Sequence, residues 1–284
     1  MMSDDLKLGY IGLGNMGSPM AKRLVEWPGG LVVFDVRTEA MTPLAEVGAT
    51  LADSIADVAK ADVISVTVLN DEQVRTVVGE LAANAKPGTV IAIHSTISPE
   101  TAIELAEQLR PQDIHIVDAP VSGGGAAAEK GELAVMVGAD REVYERIKPV
   151  FKQIGAMVIH AGGPGAGTRM KLARNMLTFV GYAAACEAMK LAEANGINLQ
   201  QLGRVVRHTD ALTSGPGAIM VRDDMSDIDS DSFLYESFIH ARGLGEKDLS
   251  LALALGEKAG VDLPLAEIAL QNLAAGLGVP HTKE

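Results

Sequence analysis

Apolar and polar positions alternate in blocks along the first half of the chain. Short β-rich apolar runs occur at "KLGYI" (7–11), "LVVFD" (31–35), "DVISVTV" (62–68), "TVIAIH" (89–94) and "IHIVDAP" (114–120). Between them stand helical patterns, among them "GSPMAKRLVEW" (17–27), "DEQVRTVVGELAANA" (71–85) and "SPETAIELAEQLR" (98–110). Polar residues seldom interrupt the runs, as expected of strands covered on both faces. Strand and helix in alternation at this spacing predict a parallel sheet with helices on both sides. After residue 164 the β-branched runs stop, and long helical patterns follow at about 168–194, 198–208, 240–259 and 263–276. The breaker cluster "GGPGAG" (162–167) marks the border. The expectation is an α/β chain, with a Rossmann-type doubly wound parallel sheet over residues 1–163 and an all-helical domain over 164–284. The polar stretch "RDDMSDIDSDS" (222–232) reads as a surface loop.

Bulk properties narrow the function classes. A chain of 284 residues exceeds one ordinary core and fits two domains. Its net charge of −13 argues against nucleic-acid partners and an anionic membrane surface. A small anionic ligand stays open, because a local site can oppose the global sign. The single cysteine, Cys186, permits no disulfide within the chain and fits a reducing compartment. The start "MMSDDLKLGY" lacks the basic and apolar regions of a secretory signal. No run approaches the roughly twenty uninterrupted apolar residues of a membrane span. The expectation is a cytoplasmic protein with no membrane partner and no metal.

The first apolar run leads into "IGLGNMGSPMAKRL" (11–24), where Gly12, Gly14 and Gly17 form G-x-G-x-x-G between strand and helix. In a dinucleotide site the first glycine permits the tight turn and the second admits a pyrophosphate. The third lets helix and strand pack closely. The helix N-terminus then offers free N–H groups and the positive end of its dipole. Glycine-rich turns also serve the turn alone, so context decides. A second strand ends at Asp35, where an acid can accept hydrogen bonds from an adenosine ribose. Strand, turn, helix, strand and acid in this order predict NAD binding. Asp35 disfavours the extra phosphate of NADP, while Arg37 leaves NADP open.

Two further stretches carry candidate chemistry. In "DAPVSGGG" (118–125), glycines after a strand expose consecutive N–H groups and Ser122 adds a hydroxyl. Such a loop can hold a carboxylate without formal charge, or it can be a flexible connection. In "GPGAGTRMKLARN" (163–175) a helix begins on which Lys171, Asn175, Thr178 and Tyr182 share a face. The residues around them are mostly apolar, which predicts a buried helix. A polar stripe on a buried helix needs polar surroundings, because unsatisfied buried groups are costly. A cleft between two domains would supply them; a lysine snorkelling from the first turn, with Asn175 capping a neighbouring loop, is the plainer reading.

These stretches occur together in the order of a known family. The chain resembles the β-hydroxyacid dehydrogenases, a group that includes 3-hydroxyisobutyrate dehydrogenase and tartronate semialdehyde reductase. "GYIGLGNMGSPMA" (9–21) is similar to the family's dinucleotide fingerprint, and "DAPVSGGGAAAEKGELAVMVGA" (118–139) to its substrate segment. "GAGTRMKLARN" (165–175) resembles the catalytic-lysine segment and "KDLSLAL" (247–253) a C-terminal motif. The resemblance implies hydride transfer between NAD(P) and a small 3-hydroxy acid or its semialdehyde, within a homodimer or homotetramer. It implies Lys171 as general acid/base, with Asn175 orienting a carboxylate substrate held by Ser122, Gly123 and Gly124. It places the cofactor against Gly12, Leu13, Gly14, Asn15, Met16, Gly17, Asp35, Leu69, Asn70, Thr96 and Lys247. Two positions depart from the family pattern. Asn70 stands where a proline is common. His240, with Arg242 nearby, stands where an aromatic residue is common, and would suit a more polar or more anionic substrate if it lines the pocket. Tartronate or succinate semialdehyde reductases share all these motifs. Imine reductases share the architecture, but Lys171 counts against that activity. A non-catalytic NAD(P)-sensing module would need the fold without the lysine.

Overall fold

The computed structural model describes residues 6–281, so the acidic residues 1–5 read above lie outside the described residues. The chain begins with strand β1 (Leu8–Ile11), helix α1 (Gly17–Leu24), β2 (Leu31–Phe34), α2 (Thr38–Ala45), β3 (Thr50–Leu51) and α3 (Ile55–Val58). It continues through β4 (Val63–Val66), α4 (Asp71–Ala82), β5 (Val90–Ile93), α5 (Pro99–Leu109) and β6 (His115–Asp118). Then come β7 (Val121–Ser122), α6 (Gly124–Lys130), β8 (Ala134–Gly138), α7 (Arg141–Ile154) and β9 (Met157–Gly162). Four longer helices follow: α8 (Ala166–Ala194), α9 (Leu199–Thr213), α10 (Tyr235–Ala259) and α11 (Pro264–Leu277). Close contacts divide the chain into one unit ending at Asn175 and another beginning at Met176.

The first unit is the Rossmann-type sheet. Its strands lie in the order β3-β2-β1-β4-β5-β6-β8-β7, with β9 beside β8. Strands β1 to β6 run parallel, and β8 turns antiparallel to β6. All of β5 is buried. Its side chains alternate between two separate cores, Val90 and Ala92 on one face and Ile91 and Ile93 on the other. That is why the strand reads as an unbroken apolar run rather than an alternating one. Strand order reverses between β1 and β4, the place where open α/β sheets leave a crevice beyond their carboxyl ends.

Sequence periodicity missed the elements between 124 and 162. Helix α6 begins within a glycine run, and α7 carries Pro149 inside it. The second unit is helical. Helix α9 runs to Thr213 and α10 starts at Tyr235, so both are longer than the apolar pattern indicated. A carboxylate caps α11, where the Leu265 and Ala266 N–H groups donate to Glu187. Among the described residues of this unit the large buried side chains are few, Phe238, Leu263, Leu277 and Val279. No described helix is long and apolar enough to cross a membrane.

Candidate active site

The glycine turn after β1 can be tested position by position. Gly12 has φ +90°, and a Cβ there would lie 2.1 Å from the Thr67 carbonyl oxygen. A Cβ on Gly17 would lie 1.9 Å from the Gly12 carbonyl oxygen, so only glycine lets α1 start this close to the strand. Gly14 has nothing within 4 Å and faces open space. Turn, ligand approach and helix packing are thus divided among the three positions as a dinucleotide site requires. Helix α1 has no side-chain cap at Met16; Ser18 N–H donates to the Gly14 carbonyl and Pro19 has no N–H, so Gly17 N–H at the helix start is the group left to serve an anion. Leu13, Asn15 and Met16 complete the turn.

Asp35 follows β2 and reaches back to this turn. Its Oδ2 accepts the Leu13 N–H at 2.7 Å, and its Oδ1 accepts the Arg37 N–H at 2.9 Å and the guanidinium Nε at 3.3 Å. Burial pushes the carboxyl up, but the Leu13 and Arg37 hydrogen bonds outweigh it and leave it below the ordinary carboxylate range. The acid is therefore ionised and fixed against the glycine turn. On the far side of the crevice, the Ser95 hydroxyl donates to the Val68 carbonyl at 2.7 Å and accepts the Val68 N–H at 2.8 Å. This pair ties the segment bearing exposed Leu69 and Asn70 to the segment bearing exposed Thr96. Asn70 caps α4 by accepting the Gln73 N–H, a task proline could not perform. Sequence reading missed Ser95, whose partner depends on two strands meeting in space.

The Ser122 loop joins a short strand to a helix. Val121 and Ser122 pair with β8, and Gly123 at φ +137° opens α6. Ser122 is half-buried, while Gly123 and Gly124 are exposed and present their N–H groups at the start of a helix. A Cβ on Gly125 would lie 3.8 Å from the Asn15 carbonyl oxygen, so this loop adjoins the nucleotide turn. Lys171, in the second turn of α8, is 8 % exposed and donates from Nζ to the Val121 carbonyl at 2.6 Å. Burial first, and the nearby Arg174 charge second, lower its pKa below the ordinary lysine value. Half-buried Asn175 follows one turn later, with Arg174 Nη1 donating to its Oδ1 at 3.4 Å. Three motifs far apart in sequence, around residues 12–17, 122–125 and 171, thus converge in the first unit.

Other expected positions lie in the second unit. His240 and Lys247 are exposed on α10, where the Lys247 ammonium pairs with Asp248 at 3.0 Å. Arg242 lies against Glu246 on the same helix at 3.7 Å. The expected burial of α8 needs correction. Only Gly167, Thr168 and Lys171 of this helix are buried, whereas Met176, Phe179 and Tyr182 are 66 %, 63 % and 64 % exposed. These side chains leave a large apolar surface exposed along the helix. Among the described residues no group of three His, Cys, Asp or Glu side chains could hold a metal.

Two family models match consecutive stretches of the chain. Residues 7–163 match the family model described as the NAD binding domain of 6-phosphogluconate dehydrogenase. Residues 165–281 match the one described as NAD-binding of NADP-dependent 3-hydroxyisobutyrate dehydrogenase. An uncharacterized oxidoreductase of Mycobacterium tuberculosis H37Rv is 66 % identical over 278 residues, 97 % of this chain and 94 % of that protein. The crystal structure of an oxidoreductase from Mycobacterium avium 104 superimposes with a TM-score of 0.95 at 77 % identity, covering 97 % of this chain and 100 % of that one. The structure of M. tuberculosis 3-hydroxyisobutyrate dehydrogenase with L-serine superimposes with a TM-score of 0.67 at 30 % identity, covering 95 % and 92 %.

Proposed function

The chain belongs to the NAD-dependent β-hydroxyacid dehydrogenase family, and from that premise we propose that it oxidises a small 3-hydroxy acid, 3-hydroxyisobutyrate or a close analogue, and reduces the matching semialdehyde. One observation carries the reading: the shielded Lys171 amine lies on the Val121 carbonyl, beside the Ser122 loop that adjoins the nucleotide turn. The glycine turn fits the dinucleotide, because Gly14 leaves room and the start of α1 at Gly17 has no side-chain cap. Bound NAD(P) supplies the hydride chemistry. The chain's own residues supply position and proton handling. The Ser122 hydroxyl and the Gly123 and Gly124 N–H groups hold the substrate carboxylate. In its neutral form Lys171 takes the hydroxyl proton, and in its ammonium form it returns one to the carbonyl oxygen. A lysine titrating near 10.4 is almost wholly protonated at neutral pH, so its lowered pKa raises the fraction able to act as base. Asn175 orients the same substrate oxygen from the next turn. Asp35 favours NAD over NADP.

The exposed apolar face of α8 supports a homodimer or homotetramer as the working form. The test of substrate is a panel of kcat/KM values, with NAD and NADP for the hydroxy acids and NADH and NADPH for the semialdehydes. It would include 3-hydroxyisobutyrate, L-serine (itself a 3-hydroxy acid), tartronate semialdehyde and succinate semialdehyde. The reading expects turnover of at least one 3-hydroxy acid with NAD preferred. Tight NAD binding without turnover of any member would instead favour a cofactor-sensing module.

A further inference from the structure

A buried charge stands behind the lysine and takes no part in the chemistry above. Asp118 ends β6 and is fully buried. Its Oδ1 accepts the Gly165 N–H at 2.7 Å and its Oδ2 accepts the Thr168 N–H at 2.6 Å. Both donors stand at the start of α8, where backbone N–H groups have no acceptor within the helix. Most helices satisfy such groups with a local Ser, Thr, Asn or Asp. Here the acceptor comes from a strand 47 and 50 residues away. Two attachment points fix both the height of the turn on the sheet and its rotation about the helix axis.

The packing around this contact leaves no slack. A Cβ on Gly167 would lie 2.3 Å from the Met136 carbonyl oxygen and 2.6 Å from that of Asp118. A Cβ on Gly138 would lie 2.2 Å from Asp118 Oδ1. Lys171 follows Thr168 by three residues, and the carbonyl that receives its ammonium, Val121, follows Asp118 by three. The β6–β7 segment therefore grips α8 twice, once at its backbone and once at its reactive side chain.

We infer that Asp118 is a positioning residue: through the first turn of α8 it holds the Lys171 amine against Val121 and beside the Ser122 loop. The inference rests on the proton-transfer role proposed for Lys171. Without the carboxylate the turn lifts, the amine regains water, and its titration moves toward that of a free lysine.

The test compares wild type with Asp118→Asn and Gly167→Ala. Asparagine replaces one acceptor oxygen with a donor facing an N–H group. Alanine leaves the carboxylate in place and pushes the turn off the sheet. Isotope-labelled lysine side chains are titrated by NMR, the Lys171 signal being the one absent from Lys171→Ala. NAD affinity, thermal stability and kcat against pH are measured on the same proteins. Both variants should bind NAD within about threefold of wild type and lose at least about tenfold in kcat. Both should titrate Lys171 higher, toward a free lysine, as the amine regains water. Folded variants with an unshifted Lys171 and unchanged turnover would overturn the inference. So would failure of both variants to fold, which would assign the contact to stability alone. Near-normal turnover by Lys171→Ala would instead remove the proposed role of the lysine.

Discussion

At the scale of single residues, the partners of buried His94 prescribe its protonation. His94 is fully enclosed, with Nδ1 2.8 Å from the Ala119 carbonyl and Nε2 3.1 Å from the Ser65 hydroxyl. A carbonyl only accepts, so Nδ1 carries the proton and Nε2 accepts from Ser65. Burial pushes this histidine down to about 4. Above about pH 6.5 both folded and unfolded chains carry it neutral, so its contribution is constant there. Below that the unfolded chain takes up a proton that the native chain refuses. Stability is lost as pH falls from about 6.5 to about 4, at up to about 1.4 kcal/mol per pH unit. Urea denaturation at pH 7, 6 and 5 should show this slope, and His94→Gln should flatten it; equal slopes would refute the assignment. Asp35 gives a second expectation. Asp35→Ser removes the charge that repels a 2′-phosphate and frees the Arg37 guanidinium, now held at 3.3 Å. The ratio of kcat/KM for NADP over NAD should rise by about tenfold, roughly 1.4 kcal/mol. An unchanged ratio would show that Asp35 does not set cofactor choice.

At the scale of elements, the glycine turn separates packing from binding. Gly17→Ala forces a Cβ to 1.9 Å from the Gly12 carbonyl oxygen, so it should cost about 1–3 kcal/mol of stability and weaken NAD binding together. Gly14→Ala meets nothing within 4 Å, so it should keep its Tm and lose NAD affinity. Thermal melts and NAD titrations of the two variants check this, and matched losses in both would contradict it. The same turn shows why some elements were legible in the sequence. Its spacing is local, and one unbroken apolar run such as Val90–Ile93 suffices to mark a strand covered on both sides. The Ser122 loop was ambiguous, because glycines read alike in a tether and in a strand-to-helix turn. Ser95 and Asp118 were not legible as supports. Ser95 meets Val68 only after β4 and β5 lie side by side, and Asp118 meets Gly165 and Thr168 only after the start of α8 docks on β6.

At the scale of the whole molecule, the two units differ in how fully one chain covers its own apolar surface. The sheet has a core on each face, whereas the helices beyond Asn175 leave Met176, Phe179, Val205, Leu212 and Leu251 largely exposed. The sequence marked α8 as apolar on nearly all sides, a pattern that reads as burial whether or not the chain itself covers the helix. Wild-type protein should sediment as a dimer or tetramer, and Met176→Lys combined with Phe179→Lys should shift it toward monomer. Monomeric wild type at micromolar concentration would contradict this. The account as a whole turns on Lys171, the buried amine near the start of α8 that lies on the Val121 carbonyl beside the Ser122 loop. The most direct measurement is NADH formation by wild type and Lys171→Ala with the best 3-hydroxy acid, alongside the NAD Kd of each. The account predicts a turnover loss of about a hundredfold or more, with NAD affinity kept. Turnover near the wild-type rate would contradict it.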